Sequence, residues 1–306
     1  QKTNLNISPY YDDFDKDDQF YKVLFKPGFP VQARELTTLQ SILQNQLESF
    51  GTHMFKDGSM VIPGNIAYDP DYYSIKIERE FLGVPVSLYL DELKGKKLTS
   101  ESTGVSVVID DYLYPEDNSQ IDTLTIFVKY LNSGPDNVDA TMNDGESLIT
   151  DEAFVYGNTP VSAGESVLKL IDDEACFVGS SVSLAAGVYF IRGTFVEVAA
   201  DKIVLNPYDN DPSYRVGLNI NEQLLTAKQD ESLYDNARGF SNFAAPGADR
   251  LKIETTLAKK ELSDVNDTNF LELIWIDDGE IRFTAYKSQY NLIRDYFAKR
   301  TYEESG

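Results

Sequence analysis

Asp13, Asp15 and Asp17 stand at the first, third and fifth positions of a calcium loop, where alternate carboxylates converge on a hard divalent cation. The rest of that pattern is missing: position six would be Asp18, where the turn calls for Gly, and position twelve would be Leu24, where it calls for a bidentate Glu. Asp12, Asp13, Asp15, Asp17 and Asp18 therefore read as a solvated acidic arm. Asp209, Asn210 and Asp211, next to Tyr208, read as an Asx-turn ahead of a cation site. His53 is the single histidine, which rules out His-rich zinc sites, an HExxH helix and a two-His iron triad. A Ser-His-Asp triad through His53 would lack the G-x-S-x-G elbow. Cys176, the single cysteine, permits no intrachain disulfide and reads as a buried thiol inside the strand-like EACFV.

No phosphate-cradling Walker loop or dinucleotide G-x-G-x-x-G occurs. Glycoside cleavage needs two carboxylates about 5 to 10 Å apart. Among 50 acidic residues such a pair always exists, so its presence says nothing. No cofactor, metal or catalytic residue is expected, and the chain reads as a protein that is not an enzyme. With 50 acidic against 27 basic residues the net charge is −23, which repels nucleic acid and anionic membrane surfaces. No apolar run reaches the roughly 18 to 20 residues of a bilayer span, and QKTNLNISPYYDDFD lacks the basic and apolar regions of a signal peptide. Neither nucleic-acid binding nor membrane insertion is expected, and synthesis in a cytosol is.

What the sequence does offer is a surface for packing. FKPGFPVQARELTTLQSILQNQLESF, residues 25–50, runs from a Pro-Gly-Phe-Pro turn into an unbroken helix, expected over 31–50, with Gly51 just past its end as a left-handed cap. Leu36, Leu39, Leu43 and Phe50 fall at coiled-coil spacing, Gln46 takes the one missing position, and Ile42 and Leu47 flank the seam. Arg34 shares a face with Thr38, and Glu35 lies in the first turn, where a negative charge suits the helix dipole. Arg34 and Glu35 could pair with another subunit or simply be solvated. A polar Gln46 in an apolar seam can pair across a symmetry axis, which favours a trimer. Two or six copies also remain open. The 19 tyrosines suit interfaces that are apolar in body and wet at the rim.

Ahead of the helix, residues 1–20 read as an extended acidic arm that docks through Tyr10, Tyr11, Phe14, Phe20 and Tyr21. After it come short strands over 59–62, 66–68 and 73–81, broken at Pro-Gly and Asp-Pro. Residues 96–186 carry strand-like VSVVIDDYLYP, DTLTIFVKYL, EAFVYG, SVLKLI and EACFVG between regular turns, which indicates a β-sandwich or small barrel. A faint repeat brackets that region: Gly58, Ile62, Gly64 and Ile66 match Gly187, Ile191, Gly193 and Phe195, each copy suggesting a hairpin. If the match is a duplication, the middle domain is inserted between two strands of one sheet. Beyond NPYDNDPSY come the strand YRVGLNINEQLL, a loop around Ala-Ala-Pro-Gly, and strands over 251–257, 270–276 and 281–283. A last helix places Tyr286, Tyr290, Ile293 and Phe297 on one stripe. The fold class is α+β, mainly β. Its expected parts are 1–95 (arm, assembly helix, small antiparallel sheet), 96–186 (inserted β domain) and 187–306 (return strands, loop and C-terminal helix).

VQARELTTLQSILQNQ, preceded by YYDDFD and followed by FKDGSMVIPG, resembles a module of virion structural proteins of contractile-tailed bacteriophages, marine myoviruses in particular. The run from Val105 to Gly134, the pair GVYFIRGTFVEV and NPYDNDPSYRVGLNINEQLL, and SLYDNARGFSNFAAPGADRLKIETTL resemble the same family in the same order, so the likeness covers nearly the whole chain. The resemblance implies a baseplate wedge or tail-fibre component in the virion tail, with other tail proteins as partners and a natural chain that continues past Gly306. The likeness includes Arg34 and Glu35. Two other readings stay open: a carbohydrate-binding receptor module stacking sugars on tyrosines, and, less favoured, a polysaccharide depolymerase, for which the solenoid repeats of such fibres are missing.

Overall fold

A computed structural model describes residues 3–134, 141–285 and 289–305 of the chain. It is mainly β, with 41% strand against 15% helix, which bears out the α+β, mainly β class. Helix α1 (Ala33–Met54) follows the arm, then come β1 (Ser59–Ile62), β2 (Ile66–Lys76), β3 (Glu80–Phe81), β4 (Val84–Pro85) and the short α2 (Leu90–Leu93). The middle of the chain supplies β5 (Lys97–Ser100), β6 (Ser106–Leu113), β7 (Thr125–Tyr130), β8 (Ser147–Thr150), β9 (Phe154–Tyr156), β10 (Thr159–Val161) and β11 (Ser166–Lys169). The chain returns through β12 (Cys176–Leu184), β13 (Gly187–Ile191), β14 (Thr194–Val198) and β15 (Asp201–Asn206). It ends in β16 (Tyr214–Leu225), β17 (Arg250–Glu261), β18 (Phe270–Asp277), β19 (Glu280–Thr284) and α3 (Gln289–Ser305).

One eight-stranded antiparallel sheet, in the order β11-β8-β5-β6-β7-β2-β12-β15, organises the molecule. Just past the end of β2 the chain bonds back to β11: Ile77 bridges Leu170, the Glu78 amide donates to the Lys169 carbonyl at 2.9 Å, and the Ile171 amide to the Lys76 carbonyl at 3.2 Å. Six strands thus close on themselves, and the middle region is a small barrel. The period of two sorts the side chains of the closed sheet: along β7 and the residue before it, Leu124, Ile126 and Val128 point into the barrel, while Thr125 and Phe127 point away. Leu98, Val107, Ile109, Leu148 and Leu168 line the same interior, and Val86, Tyr89, Leu90 and Leu93 plug one end. The Tyr89 hydroxyl donates to the Val167 carbonyl at 2.7 Å, which satisfies the one polar atom of that plug.

Strands β12 and β15 leave the barrel and pack with the three-stranded sheet β1-β13-β14 and the four-stranded sheet β17-β16-β18-β19 around a second core, which includes Val182, Leu184, Tyr189, Val216 and Ile274. The boundaries expected at 95/96 and 186/187 do not part the hydrogen bonding, because β2 and β15, outside them, belong to the barrel's own sheet. Strand β2 also differs from expectation in running unbroken through Asp69-Pro70-Asp71. The register against β12 jumps there, from Asp69 opposite Ser181 to Tyr72 opposite Gly179, so the missing amide of Pro70 falls in a bulge.

The matched glycines do different work, so the faint repeat is no pair of like hairpins. The second copy is a hairpin, with Arg192 (φ 52°) and Gly193 (φ 83°) forming the two-residue turn between β13 and β14. In the first copy β1 and β2 enter separate sheets, and β1 lies beside β13 as its antiparallel neighbour, Met60 opposite Tyr189. The segment between those two paired strands holds the whole barrel. Of the expected C-terminal stripe, Tyr286 and the side chains of Tyr290 and Ile293 lie outside the described residues, and Phe297 is exposed.

Candidate assembly interface

Helix α1 begins one turn after the Pro-Gly-Phe-Pro segment. Gln32 is its N-cap and Glu35 reaches back to accept from the Gln32 amide at 3.0 Å, so the first-turn carboxylate closes the helix start. The helix then runs past the expected end. Gly51 sits inside it, buried, with its carbonyl accepting from the Phe55 amide at 2.7 Å. Gly51 is therefore no left-handed cap: a Cβ there would come within 2.5 Å of the Phe190 ring, and the bare backbone lets that ring lie against the helix. Phe55 continues the contact, its ring 6.0 Å from Phe190 and 5.8 Å from Phe195.

The body therefore holds α1 by the side carrying Ile42, Asn45, Glu48 and Gly51, with Gln44 at its edge. Gln44 Nε2 donates to the Gly193 carbonyl and the Thr194 hydroxyl, each at 3.2 Å, and the Glu48 side chain passes over Gly193. Ile42 is 3% exposed. Rotated away from this contact lie the seam residues: Leu36, Leu43 and Phe50 are 55%, 64% and 65% exposed, Leu47 and Gln46 are exposed, and Leu39 is half-buried. A stripe of large apolar side chains thus faces water, uncovered by its own domain.

The arm grips the other end of α1. Asp13 pairs with Arg34, and Ser41 donates to Asp12. Arg34 is thus engaged within its own chain, which raises its guanidinium pKa through the Asp13 bond. Further back, the Tyr10 hydroxyl donates to Asp249 Oδ2 at 2.6 Å, and the Thr3 amide and hydroxyl both donate to Glu222 Oε2, at 2.8 and 2.7 Å. Burial opposes ionisation of Glu222. Even so, the Arg192 guanidinium, 2.6 Å away, and the two Thr3 donors hold its carboxyl below the usual range. Of the five expected arm contacts, Tyr10 and Phe14 are half-buried, whereas Tyr11, Phe20 and Tyr21 are exposed. None of these pairings is legible in sequence, since each joins residues whose only signal is ordinary polarity.

The family described as a domain of unknown function (DUF4815) matches residues 8–156 and residues 139–306. The chain belongs to that family. No curated protein and no solved structure matches it. Two clefts elsewhere on this DUF4815 chain concentrate charge. One, of about 410 Å³, is lined by Glu101, Ser102, Asp144, Gly145, Glu146 and Ser147. The Glu146 carboxylate there accepts from Ser100, Ser102, Thr103 and Asn143, which ties down its loop. The other, of about 480 Å³, includes Gln120, Tyr214 and Lys259. Burial pushes the Lys259 ammonium down to about 8, yet its three protons point at Gln120 and the carbonyls of Val204 and Leu205. So engaged, the amine cross-links the C-terminal sheet to β15 and the β6–β7 loop and presents no free lone pair.

The remaining candidates are placed without convergence. Asp15 caps a short turn by accepting from the Asp17 amide, and Asp209 accepts from the Asp211 amide at 3.2 Å in the expected Asx-turn. His53 is exposed in the last turn of α1, its Nδ1 2.7 Å from the Ser49 carbonyl. Cys176 is half-buried, and burial pushes its thiol up to about 11. Among the described residues no three of His, Cys, Asp and Glu are grouped to hold a metal ion, and no helix is long and apolar enough to cross a membrane.

Proposed function

We propose that this chain is a structural subunit of a bacteriophage tail, a baseplate or fibre-attachment component that works by assembling with copies of itself and with neighbouring tail proteins. The tail setting comes from the resemblance of the helix module and the segments that follow it. The observation that carries the assembly reading is the orientation of α1, which spends Ile42 and Gly51 on its own body and leaves Leu36, Leu43, Leu47 and Phe50 in water. Each such side chain contributes about 1.5 to 3 kcal/mol when fully covered, and three copies of the helix meeting along the seam would cover them around Gln46. The mechanism is mechanical, with no catalytic step and no cofactor. The protein is made in the host cytoplasm and resides in the virion tail.

Mass measurement in solution at micromolar concentration tests this. The wild-type chain is expected to be a trimer, and Leu43→Glu/Phe50→Glu is expected to run as a folded monomer whose thermal midpoint is lower than that of the trimer and no longer rises with protein concentration. A wild-type chain that stays monomeric overturns the reading.

A further inference from the structure

Residues 3–14 and helix α1 are joined by a tether, residues 15–32, that meets the rest of the chain quite differently from either. The arm is fastened at four places, Thr3 to Glu222, Tyr10 to Asp249, Asp12 to Ser41 and Asp13 to Arg34. In the tether, by contrast, no hydrogen bond or ion pair among the described residues joins 16–31 to anything beyond its own turns, such as Gln19 to Lys16 and Phe29 to Lys26. Yet the tether carries Phe20, Tyr21, Leu24, Phe25, Phe29 and Val31, every one exposed. Nearly half of the exposed large apolar side chains among the described residues lie between Ile7 and Phe50. A solvated linker has no physical reason for that composition, because apolar area left in water forgoes about 25 cal/mol per Å².

We infer that the arm is exchanged between copies of this chain, residues 3–14 of one copy docking on the Arg34, Ser41, Glu222 and Asp249 of the next. The inference rests on the assembly reading above. An arm that fits its own body fits the identical body of a neighbour with the same four contacts, so exchange loses none of them. What changes is the path of the tether. Fully extended it spans roughly 60 Å, enough to cross from one small body to another. Crossing between bodies takes its aromatic and aliphatic side chains toward the seams of adjoining α1 helices, where both sets leave water together. The partner is a second copy because the arm's complement is already present on this chain.

Trapping the Asp12–Ser41 contact tests this. In the full chain, Asp12→Cys/Ser41→Cys is made in a Cys176→Ser background, assembled, oxidised and run on a denaturing gel without reductant. Exchange is expected to shift the band from 34.4 kDa to twice that mass or more. Co-assembly of the two single-cysteine variants is expected to give a covalent dimer joining one of each. A disulfide that closes within one chain and leaves the band at the single-chain mass overturns the exchange. If the wild-type assembly is oligomeric in that case, the assembly reading survives alone; if the wild-type chain is a monomer, both fall.

Discussion

Ile126 in the barrel and Leu43 on α1 are aliphatic side chains of equal size, each in regular secondary structure, yet the first is 0% and the second 64% exposed. The barrel closes on itself through Ile77 and Leu170, so every inward position of its strands finds cover from the opposite wall or from the α2 plug. Helix α1 has no opposite wall. It lies on the β13–β14 hairpin by one side and is held by the arm through Arg34 and Ser41, and neither contact covers the stripe of Leu36, Leu43, Leu47 and Phe50. The barrel covers the apolar side chains of its own strands, whereas the tether and the seam of α1 leave theirs exposed.

The largest expected effect tests that contrast at its core. Ile126→Ala should cost about 2 to 5 kcal/mol in urea unfolding of the dilute chain, because it opens a cavity in a closed interior. Leu43→Ala should change the same unfolding by no more than about 0.5 kcal/mol. Equal losses at the two sites would break the comparison.

A smaller effect sharpens it at the docking contact. Gly→Ala inside a solvated helix normally gains about 1 kcal/mol. Gly51→Ala should instead lose about 1 to 3 kcal/mol, since the new methyl meets Phe190 at 2.5 Å. A stabilised variant would show that the helix is free of the hairpin.

The smallest effect concerns the arm. Glu222 is held below its ordinary value of 4.5 in the folded chain, so it contributes stability that is fully present above that pH and is lost as pH falls through the lower folded value. The thermal midpoint of wild-type over Glu222→Gln should therefore be highest near neutrality and shrink steadily below pH 4.5. A difference that does not change with acid would mean that Thr3 and Arg192 do not hold the ionised carboxylate.

Much of the strand content is legible because it rests on a local period. β1 occupies the expected 59–62, β18 lies within a residue of 270–276, and the β6–β7 hairpin straddles its polar turn as its residues require. Short strands such as β5 and β8 escape notice, since four residues of KLTS or SLIT carry no pattern outside their sheet. Asp-Pro at 69–70 looks like a break, because proline cannot donate to a ladder. The bulge that absorbs it depends on Gly179 to Ser181, more than a hundred residues away. Gly51 looks like a cap for a similar reason, and only the arrival of Phe190 makes it a packing site.

By itself the sequence determined the amphipathic helix after residue 31, the alternation that makes strands of the middle region, the acidic balance of the surface and the apolar character of the seam. These depend on neighbours within a few positions along the chain. Tertiary structure alone decided which side of α1 faces the body, that six strands close into a barrel, and that Thr3, Tyr10, Asp12 and Asp13 meet Glu222, Asp249, Ser41 and Arg34. Such outcomes are set by contacts between residues far apart in sequence, where no local propensity distinguishes the true partner from many others of the same type.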